Sequence, residues 1–94
     1  MENPRSTPLE DLLVWILSVD RRVILMESID NHQVIKASDV AQKTNRSTQN
    51  ISRALTELKN KGIIKCLTPE KTTWKRYMLT DTGIEVRQKL QQYH

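Results

Sequence analysis

Glycine is nearly absent from this chain. Gly62 and Gly83 are the only two in 94 residues, and they stand far apart. No glycine-rich loop can therefore cradle a phosphate group. Cysteine is scarcer still, since Cys66 is alone. An intramolecular disulfide is excluded, and so is a zinc site built on a CxxC pair. Cys66 reads either as a small half-buried strand residue or as a redox-active or intermolecular thiol. The two histidines, His32 and His94, fall in a turn and at the chain end, with no carboxylate cluster beside them. Nothing here assembles a catalytic pair, a metal site or a cofactor site, so an enzyme is not expected. Long apolar runs are missing as well. The longest, LLVWIL at 12–17, is far short of the roughly 20 residues that span a bilayer. The N-terminal MENPRSTP lacks the basic-then-apolar layout of a signal peptide. A cytoplasmic protein without a membrane role is expected.

What the chain does have is an uneven distribution of charge. Its net charge is +4. Between Lys36 and Leu79, ten Lys and Arg face three Asp and Glu, whereas the remainder holds five against eight. Positive potential is thus concentrated on one segment, as binding to a polyanion requires.

That segment opens with SDVAQKTNRSTQNISRALTELKNKG at 38–62. It reads as a short helix, a turn and a longer helix. Ser38 is a good N-cap, and Asp39 suits the first turn. Thr44, Asn45 and Arg46 make the turn, and Ser47 caps the second helix. Ile51, Leu55 and Leu58 fall at i, i+4 and i+7, one apolar stripe at helical period. Gly62 supplies the left-handed residue that ends the helix. Gln49, Arg53, Thr56 and Asn60 lie on the opposite face, flanked by Asn50 and Ser52. Such side chains either form a solvated polar face or read base edges in a major groove.

The flanks complete the reading. Residues 1–7 are expected to be a flexible N-terminus, and 8–94 a single domain. Thr7 and Pro8 read as the N-cap and first position of a helix from Pro8 to Ser18. Ser18 and Asp20 offer caps for a second helix, roughly Val19 to Ile29. Val34 and Ile35 are a short β-prone pair. After Gly62 the period changes, and 63–67 and 74–79 read as two strands around a polar loop. Trp74 suits either packing at the base of this hairpin or contact with a partner or a base. Tyr77 reads as a core residue. A last helix runs from about Asp81 to Gln92. The expected fold is mainly α with a small β-hairpin.

In this order the elements resemble a winged helix-turn-helix with an extra N-terminal helix and a C-terminal helix. DRRVILMESI, ASDVAQKTNRSTQNISRALTELKNKGII and KRYMLTDTG resemble, in turn, the first helix, the helix-turn-helix, and the second wing strand of prokaryotic regulators. The similarity is to MarR-like and ArsR-like repressors of the short, archaeal type. Lys43-Thr44-Asn45 stands where Gly or Ala-Leu-Gly is usual, so Asn45 takes the turn position, which asparagine tolerates. The metal-binding cysteine box of ArsR sensors is absent.

The resemblance implies a sequence-specific transcriptional regulator of double-stranded DNA, with a recognition helix at about 47–61 and a wing at about 68–75. Ser47, Thr48, Gln49, Asn50 and Arg53 are then the major-groove candidates. Lys36, Lys43 and Arg46 would touch the backbone. Lys71, Thr72, Thr73, Lys75 and Arg76 would bring the wing to a phosphate ridge or into the minor groove. The competing reading is a winged-helix protein-interaction module in a transcription or replication assembly. The sequence names no cofactor and no small-molecule effector. The first helix is apolar nearly all round, which asks for burial on more than one side. Either it folds over its own core, or Leu9, Leu12, Leu13, Ile16, Leu17 and Leu90 build a homodimer interface.

Overall fold

Among the described residues seven elements follow one another: α1 (Leu9–Leu17), α2 (Asp20–Ser28), α3 (Ala37–Thr44), α4 (Thr48–Asn60), β1 (Ile64–Cys66), β2 (Tyr77–Leu79) and α5 (Asp81–Gln91). The computed structural model describes residues 8–93. The expected flexible segment 1–7, Thr7 as an N-cap, and His94 lie outside the described residues. Pro8 is itself the N-cap of α1 rather than its first helical residue. Ser18 closes α1 instead of opening α2, its hydroxyl donating to the Trp15 carbonyl at 2.7 Å. Val19 is the N-cap of α2.

β1 and β2 pair antiparallel, with Ile64 opposite Leu79 and Cys66 opposite Tyr77. Ile35 extends this hairpin on its far edge. Its N–H donates to the Tyr77 carbonyl at 2.8 Å, and the Tyr77 N–H donates back at 2.9 Å. Both strands are shorter than expected because the ladder stops at Cys66 and Tyr77. Beyond it, Leu67 N–H still reaches the Arg76 carbonyl at 2.8 Å, and Arg76 N–H is taken by the Thr68 hydroxyl at 3.1 Å. The segment between Thr68 and Arg76 is therefore a loop closed at its base.

The core is one cluster to which every element contributes. α4 gives it Ile51, Ala54, Leu55 and Leu58, all essentially inaccessible. Each such aliphatic chain contributes about 1.5–3 kcal/mol relative to exposure. Ile63, Ile64 and Leu79 seat the hairpin on this core, and Tyr77 packs half-buried against it. α1 lies against both α2 and α5. Of the two readings of α1, packing over its own core accounts for four of the six residues considered for an interface. Leu12, Leu13, Ile16 and Leu90 are buried within the protomer itself. Leu9 is half-buried, while Val14 and Leu17 stay exposed. The Trp15 ring is covered by the Arg22 guanidinium 3.8 Å from its centroid.

α4 is also held from behind by charge. Glu57 accepts from Arg21 at 2.5 and 3.0 Å and from Arg22 at 3.2 Å. The hydrogen bonds from Arg21, reinforced by Arg22, pull the Glu57 carboxyl down to about 2. A carboxylate stabilised in this way favours the fold above its ordinary value near 4.5, and the contribution is lost as pH falls towards 2. Glu57→Gln should cost about 1–2 kcal/mol, since the pair is partly exposed. Thermal melts of the two proteins should differ by a constant amount at neutral pH and converge on acidification below about pH 4. A difference that does not shrink in acid would contradict the ion-pair origin.

Candidate nucleic-acid interface

The turn between α3 and α4 follows local chemistry. Asn45 takes the left-handed conformation, with φ 59° and ψ 39°. This sends the Arg46 N–H back to the Ala41 carbonyl at 2.9 Å. The Ser47 hydroxyl then accepts from the Asn50 N–H at 3.0 Å and starts α4. Gly62, at φ +74°, turns the chain out of α4 as expected. One detail differs: α3 begins at Ala37 with Lys36 as its N-cap, so Ser38 sits inside the first turn. Pairing of Ile35 with Tyr77 leaves Lys36 extended and fixes the helix cap two residues earlier.

With Ile51, Ala54, Leu55 and Leu58 buried, the other side of α4 is turned outwards. Thr48, Gln49, Ser52, Arg53 and Thr56 line one open concavity along it. The side chains of Gln49 and Arg53 make no hydrogen bond or ion pair with any described residue. Their amide and guanidinium are free for an external partner.

Two of the expected contacts are otherwise engaged. Arg46 donates to the Asn50 side-chain oxygen at 2.9 Å and to the Asp20 carboxylate. Asn50 is half-buried, and this bond occupies the acceptor it would need to pair with adenine. The trio ties the start of α4 to the start of α2. Lys43 is set apart from the group. Its ammonium reaches the Ser28 carbonyl at 3.5 Å, in a depression lined by Gln33, Val34 and Asp39.

The wing brings a second wall. A groove of about 470 Å³ runs between it and the starts of α3 and α4. Lys36, Ser38, Thr48 and Ser52 line one side, and Thr72, Thr73, Trp74, Lys75 and Tyr77 the other. Lys36 pairs at 3.9 Å with Asp39. Lys71 and Arg76 are exposed on the wing outside the groove. Burial pushes the Tyr77 phenol up, with Cys66 opposite adding to the shift, so Tyr77 stays neutral in the groove wall. Trp74 is not packed at the base of the hairpin but is 70% exposed.

The sequence placed Ser52 only beside the candidate face and left Trp74 open between hairpin packing and contact with a partner or a base; the groove brings both to its walls. Ser52 carried a signal, since it lies one turn from Thr48 on the same face. For Trp74 the sequence could not choose between the two, because its exposure depends on where the ladder stops.

No family model matches the sequence, and no curated protein matches it. Solved structures do. TubR bound to 24 bp of tubC, from Bacillus thuringiensis serovar israelensis pBtoxis, superposes with a TM-score of 0.75 at 19% identity, covering 95% of this chain and 98% of that one. A mutant of the type III plasmid segregation protein TubR gives 0.73 at 20%, covering 94% of each chain. Reduced HlyU from Vibrio cholerae N16961 gives 0.66 at 21%, covering 92% of this chain and 85% of that one. The fold is a winged helix. At these identities the likeness is one of architecture, and it matches the expected fold element for element. Among the described residues no helix is long and apolar enough to cross a membrane.

Proposed function

We propose that the protein is a sequence-specific regulator that binds double-stranded DNA, with α4 in the major groove and the wing on the phosphate backbone. The observation that carries this is the outward face of α4, where Gln49 and Arg53 stand free beside a basic wing. An amide can pair bidentately with adenine, and a guanidinium with guanine. Thr48 and Ser52 hydroxyls fit phosphate or base edges on either side. Arg46 and Asn50 act as positioning residues that set the pitch of α4 against α2. The structural neighbour seated on 24 bp of tubC supports the reading, as does the sequence resemblance to MarR-like and ArsR-like repressors.

A two-fold homodimer belongs to the same proposal. Its contact at α1 would use the surface of Leu9, Val14 and Leu17, with Leu12, Leu13, Ile16 and Leu90 as the core beneath. Two copies would present two recognition helices to a palindromic site.

Salt dependence tests the proposal. Lys36, Lys71, Lys75 and Arg76 supply four cations near the groove and wing. Four displaced counterions at about −0.9 each give a slope of log affinity against log salt near −3 to −4 for one protomer, and about twice that for a bound dimer. Fluorescence anisotropy on a labelled duplex from low to moderate salt measures it. A flat response, or no binding at low salt, would count against DNA as the partner.

A further inference from the structure

We infer that Trp74 is a DNA-contacting residue, packing its indole on a deoxyribose of the strand that runs between α4 and the wing. This rests on the DNA-binding reading and adds to its wing contact one residue and the way that residue meets the backbone.

Trp74 carries two costs that folding does not repay. Its φ of +59° is left-handed, a conformation that bulky side chains rarely adopt. Asn45 shares that conformation, but asparagine tolerates it. Trp74 is also 70% exposed, and its ring touches no part of the core. Among the described residues, its ring is approached by the Lys36 ammonium, 5.6 Å from the centroid. Strain of this kind, held on the surface beside a groove, marks a binding site.

The chemistry of the groove selects the occupant. Thr48 and Ser52 face Trp74 across it, and Lys36 and Lys75 add positive charge. An anionic partner with a repeating apolar surface fits this combination, and a sugar–phosphate backbone has both. In a duplex the bases are already stacked, so the sugar is the apolar face within reach. The indole N–H is a donor only, and none of the described residues accepts from it. A phosphate oxygen would satisfy it, with Lys36 neutralising the same phosphate. Such a contact adds affinity without reading sequence.

The test uses the full chain with Trp74→Asn and Trp74→Phe. Asparagine keeps the left-handed backbone without the ring, so Trp74→Asn should melt no lower than wild type. Its affinity should fall about tenfold on every duplex tried, with the salt slope unchanged. Trp74→Phe should lie between the two. Intrinsic fluorescence of wild type should change as duplex is added. In Trp74→Phe only Trp15 remains, on α1 against Arg22, and the change should vanish. Affinity of Trp74→Asn within twofold of wild type overturns the inference. So does unchanged wild-type fluorescence at saturating DNA, or a loss confined to one sequence. Failure of wild type to bind any duplex overturns the DNA reading beneath it, and that result is distinct from the others.

Discussion

Arg53→Ala should weaken binding to the preferred duplex by about 5- to 150-fold, the equivalent of roughly 1–3 kcal/mol for a bidentate base contact. On an unrelated duplex the loss should be small, so discrimination falls. The reason is position. Arg53 lies on the second exposed turn of α4, in line with Gln49 and free of any internal partner. Arg53→Lys sharpens the test, because lysine keeps the charge but cannot form the planar fork. It should hold the salt slope and lose the base preference. Competition anisotropy with preferred and scrambled duplexes separates the cases. Equal losses on both duplexes would make Arg53 a phosphate contact and move base reading elsewhere.

Gly83→Ala should destabilise the fold by about 2–3 kcal/mol, despite placing a better helix former in α5. A Cβ at Gly83 would lie 2.0 Å from the Ile63 carbonyl oxygen and 3.0 Å from a Leu79 methyl. That carbonyl cannot easily retreat, since it accepts from the Thr80 N–H at 3.0 Å while the Thr80 hydroxyl holds the adjoining Gly62 carbonyl at 2.6 Å. Thr80 in turn caps α5 by accepting from the Gly83 N–H at 3.0 Å. The start of α5 and the base of the hairpin are therefore one unit. In a domain of this size the loss corresponds to a melting point lower by roughly 10–20 °C. Gly62→Ala is the control. Open space surrounds Gly62, but its φ is +74°, so the cost is about 1 kcal/mol of backbone strain. A Gly83→Ala protein that melts at or above wild type would contradict the close approach of α5 to Ile63.

The contrast between these two glycines shows where the sequence was legible. Gly62 followed an apolar stripe of helical period, and its role is local. Asn45 and Ser47 were readable for the same reason, since turn and cap chemistry act over three or four residues. Ser38 was misplaced as the cap of α3 because a long-range pairing, Ile35 with Tyr77, sets the start of that helix. The apolar excess of α1 was readable, but not how it divides: α2 and α5 bury Leu12, Leu13 and Ile16 within one chain, while Val14 and Leu17 stay exposed. At the candidate site, Gln49 and Arg53 could be found from the helical wheel. The diversion of Arg46 to Asp20, 26 residues away, and the anchoring of α4 by Glu57 to α2 could not, because nothing local records them. Trp74 was legible as a residue but not as a surface, since only the end of the ladder at Tyr77 frees it.

Selection of bound duplexes from a random pool, followed by sequencing, addresses base reading most directly. Recognition by the Gln49 and Arg53 face from a two-fold dimer predicts an enriched palindrome, with half-sites about one helical turn apart. The enrichment should weaken when Arg53→Ala replaces wild type. A bound pool whose sequences match the input, for a protein that does retain DNA, would contradict sequence-specific recognition by α4.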